Sequence, residues 1–281
     1  MWFIFSGILI TIGLIFLFTQ GLNLGIDFAG GTIMEFQFEE EVTSGDMREV
    51  LAEFGLEGES VVQETEEGVI LLRTRQLEHD QVVDLQEEVE SRYPTADMLR
   101  TSVVGPTIGQ ELQRSAFYAI LFAGIAIVIY ISFRFQFRFA ISALGALAHD
   151  VLIVLGVMAI LGREINSPFI AALLTIVGYS INDSIVIFDR VREKLRLTRR
   201  NDTFAELNNE AVVETLPRSI NTSLTTLMPV LAILFLGGAT LQTFMIALLV
   251  GILCGTYSSV FIVSPLLVQW NDYKEMKTRN L

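Results

Sequence analysis

The stretch SPFIAALLTIVGYSINDSIVIF, from Ser167 to Phe188, places Asn182 and Asp183 within a long apolar run. An α-helix needs about 20 predominantly apolar residues to cross the hydrocarbon core of a bilayer, and this stretch is long enough. A charged side chain inside such a helix costs about 2.5–3.5 kcal/mol to insert and by default marks a functional position. The stretch therefore predicts a membrane-spanning helix that carries a functional carboxylate.

Five other apolar runs reach spanning length, which predicts an α-helical polytopic membrane protein with six transmembrane helices. Their predicted limits are Trp2–Gln20, Ser115–Phe133, Phe139–Leu161, Pro217–Leu236 and Leu241–Val268. The predicted organisation is a first helix in residues 1–20, a hydrophilic domain in 21–114, five helices in 115–268 and a tail in 269–281. Within the helical part, residues 189–217 are predicted to form an Arg-rich loop.

The composition supports this division into a membrane part and a hydrophilic part. The chain is 52% hydrophobic and only 18% charged, with a mean hydropathy of +0.53. The formal net charge of -13 lies mainly in residues 21–114, which contain 21 acidic residues and 6 arginines. Such an acidic surface lacks the basic footprint that nucleic-acid phosphates require, so no nucleic acid partner is expected.

A cleaved signal peptide is the alternative interpretation of the first apolar run. That run has neither a basic n-region nor an A-x-A cleavage pattern, which favours a membrane anchor. The missing basic residues predict that the native N-terminus lies upstream of Met1.

The hydrophilic domain shows strand and helix periodicities in alternation. The predicted strands are Thr32–Phe38, Ser60–Glu64, Val69–Thr74 and Met98–Val104, and the predicted helices are Ser44–Phe54 and Glu78–Arg92. Ser44 is the predicted helix cap, and Glu66-Glu67-Gly68 is the predicted turn between the two middle strands. The order βαββαβ predicts one α+β ferredoxin-like domain, a fold that by itself specifies no chemistry.

Basic residues are concentrated on one side of the predicted spans. The loops after the second and fourth spans, the start of the fifth span and the tail contain 12 of them: Arg134, Arg138, Arg190, Arg192, Lys194, Arg196, Arg199, Arg200, Arg218, Lys274, Lys277 and Arg279. The opposite short loops contain only Arg163. By the positive-inside rule, both termini and the 189–217 loop are predicted to be cytoplasmic, and the acidic domain extracytoplasmic.

The third predicted span carries His149 and Asp150 near its centre. One interpretation is that Asp150 is an ion-coupling carboxylate supported by His149. The other is a structural pair of buried polar groups, since such pairs also occur without a functional role.

The fourth and fifth predicted spans carry the other intramembrane charges, Asp183 and Arg218. Tyr179 and Asn182 make the surroundings of Asp183 polar, and Thr222 shares a helix face with Arg218. Interhelical hydrogen bonds alone would explain the Asn and Ser residues of this stretch but explain the Asp less well, and an Arg at a helix end can extend to the headgroups. Because the two spans run in opposite directions, Asp183 and Arg218 fall in the same half of the membrane. The sequence therefore permits an Asp–Arg pair that opens and closes during ion coupling.

Residues for metal binding or catalysis are sparse in this sequence. The chain has one cysteine, Cys254, and two histidines in unrelated segments, His79 and His149. No Cys/His metal spacing, phosphate-binding loop or nucleophile–base motif is present. Neither a metal, a cofactor nor an enzymatic activity is expected.

Four motifs resemble a known family. LNLGIDFAGGT at 22–32 and VGPTIG at 104–109 resemble signatures shared by the SecD and SecF proteins of the bacterial protein-export machinery. AALLTIVGYSINDSIVIFDRVRE at 171–193 and RSINTSLTT at 218–226 are more similar to SecF than to SecD. The resemblance covers nearly the whole chain and includes the six-span layout with one large first loop.

The resemblance implies an accessory export subunit of the resistance-nodulation-division superfamily in the cytoplasmic (inner) membrane. Its implied partners are SecD, the SecY-type channel complex (SecYEG), a translocating preprotein and the lipid bilayer. The implied energy source is the proton or the sodium gradient, and the sequence leaves the choice open. The resemblance assigns ion coupling to Asp183 and Arg218 and gives Asp150 a less defined role.

Two other functions remain open at the level of sequence. A half-transporter of a small-molecule or lipid exporter from the same superfamily would normally contain two fused six-span halves and larger outer loops. A scaffold for the channel without energy coupling would not need charged residues in its spans, and these spans contain them.

Overall fold

The computed structural model describes residues 1–64, 68–197 and 202–279. In chain order its elements are α1 (Trp2–Thr19), α2 (Ile26–Ala29), β1 (Gly31–Gln37), α3 (Ser44–Glu53), β2 (Val61–Glu64), β3 (Val69–Thr74), α4 (His79–Arg92), β4 (Asp97–Val104), α5 (Pro106–Arg134), α6 (Phe137–Ile160), α7 (Ser167–Arg196), α8 (Phe204–Leu236), α9 (Ala239–Ser258) and α10 (Ser264–Arg279). A 3-10 turn covers Glu57–Glu59, and a π-helical turn, Ser259–Val263, joins α9 to α10.

Six helices of the described chain are long and apolar enough to cross a membrane. They are α1, α5, α6, α7, α8 and the continuous segment Leu241–Tyr273 that contains α9, the π-helical turn and much of α10. The chain divides into two compact units: an α/β unit, Leu24–Phe117, and a helical unit made of residues 1–23 and the chain from Tyr118 onward. The predicted polytopic helical architecture is confirmed.

The α/β unit contains a four-stranded antiparallel sheet in the order β2-β3-β1-β4. β1 lies between β3, with Met34 opposite Leu72, and β4, with Ile33 opposite Ser102. β3 therefore lies between β1 and β2, the two strands that α3 connects, and β1 lies between β3 and β4, the two strands that α4 connects. This is the split-βαβ arrangement that the sequence predicted. The predicted turn at Glu66-Glu67-Gly68 lies mostly outside the described residues.

The core of the α/β unit lies between the sheet and the two long helices. Met34, Phe36 and Leu72 from the sheet pack in one cluster with Leu51 of α3 and Leu85 of α4, and each is at most 1% exposed. Alternation along the strands and helical spacing in α3 and α4 bring these apolar side chains to one side of each element.

The cap of α3 differs by one residue from the prediction. Ser44 was the predicted cap, but Thr43 has the extended backbone and accepts a hydrogen bond from the backbone N–H of Asp46. The Asp46 carboxylate accepts from the Thr43 backbone N–H at 2.8 Å in return. This reciprocal capping box satisfies two amide groups that a cap at Ser44 would leave unpaired.

Glycine is required where the sheet begins. Gly30 and Gly31 have φ angles of 77° and 137°, which L side chains rarely adopt. A Cβ atom on Gly31 would also lie 2.6 Å from the carbonyl oxygen of Thr74 on the neighbouring strand. The two glycines therefore allow the chain to enter β1 close against β3.

The helical unit is held together by apolar packing and by close backbone approaches. Phe139 of α6 and Phe188 of α7 are buried with ring centroids 4.9 Å apart. A Cβ atom on Gly13 of α1 would lie 2.9 Å from the Cα of Gly156 on α6, so these helices touch through their backbones. Small residues permit such contacts between membrane helices. By contrast α5 exposes large apolar side chains in the single chain, Phe133 among them at 89%.

The helices reach further into the predicted 189–217 loop than the sequence indicated, and residues 198–201 of that loop lie outside the described residues. α7 continues to Arg196 and α8 already begins at Phe204, so both helices occupy most of the predicted loop. Thr203 and Glu206 form a capping box there, and Leu207 and Ala211 are buried. These features stabilise the helix upstream of Pro217, which lies inside α8 rather than at its start.

Candidate functional site

Asp150 lies at the centre of a hydrogen-bonded cluster of buried side chains from three helices. It is 1% exposed on α6. Ser180 of α7 donates to its Oδ2 at 2.6 Å, and Ser258 at the end of α9 donates to the same oxygen at 2.8 Å. The other oxygen, Oδ1, lies 2.9 Å from Nδ1 of His149. Both carboxylate oxygens therefore have partners, as a buried charge requires.

His149 extends this cluster towards α1. It is 6% exposed and stacks on Tyr257 of α9 with ring centroids 6.0 Å apart. The Tyr257 hydroxyl lies 3.0 Å from Ser6 Oγ of α1. Among the described residues His149 Nε2 has no hydrogen-bond partner. The sequence placed His149 and Asp150 together, and the structure adds their contacts with α7 and α9, with Tyr257 of α9 in turn contacting α1.

The helices around Asp150 approach closely because of glycines. A Cβ atom on Gly255 of α9 would lie 3.0 Å from the Cβ of Ser180, and one on Gly251 would lie 2.3 Å from the side chain of Ile176. The π-helical turn begins directly after Ser258. Such turns insert one extra residue per turn and often occur at functional positions.

Asp183 lies one turn beyond Ser180 on α7 and faces α8. It is 2% exposed, and its carboxylate is within interaction range of Ser219 and Arg218. Within the described part of the chain neither Asp183 Oδ2 nor Ser219 Oγ has a hydrogen-bond partner. A buried carboxylate oxygen without a partner is costly, which distinguishes Asp183 from the fully bonded Asp150.

Arg218 lies in the interior of α8, which begins at Phe204. It is exposed and lines an open cleft of about 410 Å³ between α7 and α8, together with Val186, Glu214 and Thr215. Asp183 and Arg218 are near each other, but among the ion pairs of the described residues they do not form one. The pair that opens and closes during ion coupling therefore stays a prediction.

Charged side chains connect the ends of α7 and α8 beside this cleft. Arg190 contacts Glu193 at 2.5 Å and also pairs with Glu214. Lys194 contacts Glu214 at 2.6 Å and Glu210 at 3.0 Å. Because these groups are partly exposed, each pair contributes little stability. Three of these contacts join α7 to α8.

The remaining predicted polar residues lie in different environments. The Tyr179 hydroxyl donates to Ser223 Oγ of α8 at 3.2 Å, and Ser223 contacts Thr256 of α9. Thr222 donates to its own helix, to the carbonyl of Arg218 at 3.0 Å. Asn182 is exposed. Of these three residues, Tyr179 makes a hydrogen bond to another helix, whereas Thr222 bonds within its own helix.

Sequence reasoning missed Ser219 and Ser258, and it did not assign the contact of Ser180 with Asp150. Serine is common in membrane helices and usually bonds its own backbone, so its type gives no signal. Ser180 stands in the polar patch that contains Asp183, which was the available signal. Among the described residues no group of three or more His, Cys, Asp or Glu could hold a metal ion.

The fold and these buried groups define a class: a multi-pass α-helical membrane protein with an α/β unit after its first helix and carboxylates inside its bundle. Residues 84–273 match the family described as protein export membrane protein SecD/SecF, C-terminal, and residues 15–42 match the SecD/SecF GG motif. The chain belongs to the SecD/SecF family of protein-export membrane proteins.

Similar proteins support this assignment. The protein translocase subunit SecF of Sebaldella termitidis is 41% identical over 98% of this chain and 90% of that protein. The SecF subunit of Thermobaculum terrenum is 39% identical over 96% and 91%. The crystal structure of SecDF from Thermus thermophilus, described as a translocon-associated membrane protein, superposes with a TM-score of 0.88 at 42% identity. It covers 95% of this chain, which spans 37% of the SecDF chain. The names describe translocase subunits and not enzymes.

Proposed function

We propose that the protein is an accessory subunit of a protein translocase that uses an ion gradient to promote protein export across the cytoplasmic membrane. The observation that carries the coupling part is Asp183, a carboxylate 2% exposed in an apolar bundle with an oxygen that lacks a partner. A carboxylate in this state gains by taking up a proton or another cation. The SecF names of its relatives support export as the process.

Arg218 supplies the second half of the proposed mechanism. When Asp183 is ionised, Arg218 at the cleft attracts it. Uptake of an ion neutralises the carboxylate and removes that attraction, so α7 and α8 can change their relative position. One elementary charge moved through the membrane potential supplies about 2.3 kcal/mol per 100 mV. That amount is comparable with the free energy of the few polar contacts between two helices.

The proposed orientation follows from the positive-inside bias. Both termini and the joined ends of α7 and α8 lie in the cytoplasm, and the α/β unit lies outside. In this orientation the cleft lined by Arg190, Glu214 and Arg218 opens towards the cytoplasmic side. Water and ions from the cytoplasm would then reach, through this cleft, a position on α7 about one turn from Asp183.

The proposed partners are a SecD protein, a SecY-type channel complex (SecYEG), the translocating preprotein and the surrounding lipid. SecDF of Thermus thermophilus contains a region like this chain as 36% of its length. A separate SecD chain would supply the remainder here. The relatives' names favour this function over a small-molecule exporter.

The test replaces Asp183 with asparagine. Purified protein is reconstituted with a SecD partner and a SecY-type channel, and preprotein import into proteoliposomes is measured with and without an imposed proton or sodium gradient. Asp183→Asn is expected to abolish the gradient-dependent part of transport and to leave the gradient-independent part. Asp272→Asn, which neutralises an exposed carboxylate of α10, is the control and should match the wild type. An unchanged gradient response in Asp183→Asn would refute the coupling proposal.

A further inference from the structure

The contacts of α7 place two different carboxylate environments on one helical turn. Ser180 bonds Asp150 on the side of α6 and α9, and Asp183 faces α8. Three residues separate these positions, which corresponds to about 4.5 Å along the helix axis. A shift of α7 at Asp183 must therefore change the Ser180–Asp150 contact, because one rigid turn carries both groups.

Asp150 is organised as an anchor and not as a site that awaits an ion. Its Oδ2 accepts from Ser180 and Ser258, and its Oδ1 contacts His149. Asp183, at almost the same burial, has an oxygen without a partner. The saturated carboxylate resists change, and the unsaturated one responds to ions.

We propose that Asp150 is a positioning residue that acts as a latch: through Ser180 and Ser258 it holds α7 and the last span in one register until ion binding at Asp183 moves α7. This inference rests on the proposed function and gives Asp150 a role distinct from ion binding. Ser180 is the link between the two carboxylates, because it alone among the three contacts of Asp150 lies on the helix that carries Asp183.

Ser258 lies at the point where the helix type of the last span changes. Ser258 is the final residue of α9, and the π-helical turn Ser259–Val263 follows at once. Such π-helical turns inside α-helices often mark functional positions. Gly255 keeps α7 and α9 close enough for Ser180 and Ser258 to reach the same oxygen.

The chain offers a matched control residue for each of the two serines that bond Asp150. Ser184 of α7 is 1% exposed, and its hydroxyl donates only to the Ser180 carbonyl of its own helix at 3.3 Å. Ser259 is 0% exposed and donates to the Thr256 carbonyl at 3.0 Å. Alanine at these positions removes the same buried hydroxyl without touching Asp150.

The experiment measures three quantities in the reconstituted complex for Ser180→Ala, Ser258→Ala, Ser184→Ala and Ser259→Ala. They are gradient-dependent preprotein transport, gradient-independent transport, and labelling of Asp183 by a hydrophobic carbodiimide, which reacts with protonated carboxyl groups and is read by mass spectrometry. Ser180→Ala and Ser258→Ala should lower the gradient-dependent part about tenfold, the factor for one lost hydrogen bond to a charged group. The other two quantities should stay at the wild-type level, and both controls should resemble the wild type.

Three results would overturn the latch. Ser180→Ala could behave like Ser184→Ala, so that the contact has no role in coupling. Gradient-dependent and gradient-independent transport could fall together, or neither Ser180→Ala nor Ser258→Ala could yield folded protein. In either case the contact serves the fold alone. Labelling of Asp183 could change, so that Ser180 belongs to the ion site itself. Asp183→Asn is measured in parallel. If Asp183→Asn keeps its gradient response, the proposed function fails. If Asp183→Asn loses that response but Ser180→Ala and Ser258→Ala keep it, the latch alone fails.

Discussion

Two buried aspartates of the helical unit show how hydrogen bonding, at equal burial, separates two roles. Asp150 and Asp183 are 1% and 2% exposed. The partners differ, because Ser180, Ser258 and His149 surround Asp150 while Asp183 Oδ2 lacks a partner among the described groups. The position of an aspartate in an apolar run therefore identifies a candidate, and its hydrogen bonds indicate what it does.

At the same scale, Asp46 predicts a pH effect in the α/β unit. Hydrogen bonds from the Thr43 backbone N–H and then from its hydroxyl hold the pKa of Asp46 below its ordinary value of 3.8. Because the folded pKa is the lower one, this stabilisation is complete above pH 3.8 and is lost as the pH falls through the folded pKa. Asp46→Asn should therefore lower the urea midpoint of the α/β unit at pH 7, and the difference should shrink as the pH approaches 3.

The control for that measurement is Asp84→Asn, an exposed carboxylate in the middle of α4. It should shift the midpoint much less than Asp46→Asn at pH 7. An equal effect of the two substitutions, or a difference from the wild type that does not change with pH, would contradict the role assigned to the cap.

At the scale of elements, the sequence predicted what depends on local periodicity. Long apolar runs identify spans because only a helix satisfies its backbone within lipid, and alternation identified the strands around Met34 and Phe36. The start of α8 was missed because Pro217 and the charges before it resemble a helix boundary. Those charges are satisfied by side chains of α7, such as Lys194 with Glu210, and a single segment cannot show that tertiary contact.

The residue types of the candidate site were predictable from local sequence, but their contacts were not. Asp150, Asp183 and Arg218 follow from charge in apolar surroundings. The bonds of Ser180 and Ser258 to Asp150 join residues 30 and 108 positions apart. Periodicity specifies which face of a helix a residue occupies, but it does not specify which helix that face meets.

The contact between α1 and α6 gives a prediction at the element scale. Gly13→Ala should push the helices apart, because the new Cβ would lie 2.9 Å from the Cα of Gly156. Overpacking of this kind costs about 1–3 kcal/mol, so the thermal unfolding temperature in detergent should fall. Gly7→Ala is the control on the same helix, with nothing within 4 Å of its new Cβ. It should be neutral or slightly stabilising, since Ala favours helix. A similar loss in both variants would contradict the close crossing.

At the scale of the whole molecule, the two compact units have separate cores. The cluster around Phe36 and Leu85 belongs to the α/β unit, and the cluster around Phe139 and Phe188 belongs to the helical unit. Water and urea reach the first, whereas the backbone of the second is shielded in a bilayer or micelle. Each unit is therefore expected to unfold by itself.

Urea in mild detergent should produce two unfolding transitions. Hydrogen exchange read by mass spectrometry should show β1 and β3 losing protection first, with α6 and α7 protected to higher urea. Leu85→Ala, which removes a fully buried side chain of the α/β unit, costs about 2–5 kcal/mol and should shift only the first transition. Loss of protection in both units at one urea concentration would show that they unfold as one.

The two serine hydroxyls on Asp150 also set an energy threshold for movement. A hydrogen bond to a charged group contributes about 1.5–3 kcal/mol, and one proton crossing 100 mV releases about 2.3 kcal/mol. This amount lies within the range of one such hydrogen bond and below the roughly 3–6 kcal/mol of two, so one ion crossing 100 mV does not break both contacts at once. With the latch as proposed, α7 and the last span would be released in sequence, and the translocase would pass through an intermediate with one helix free and the other still held.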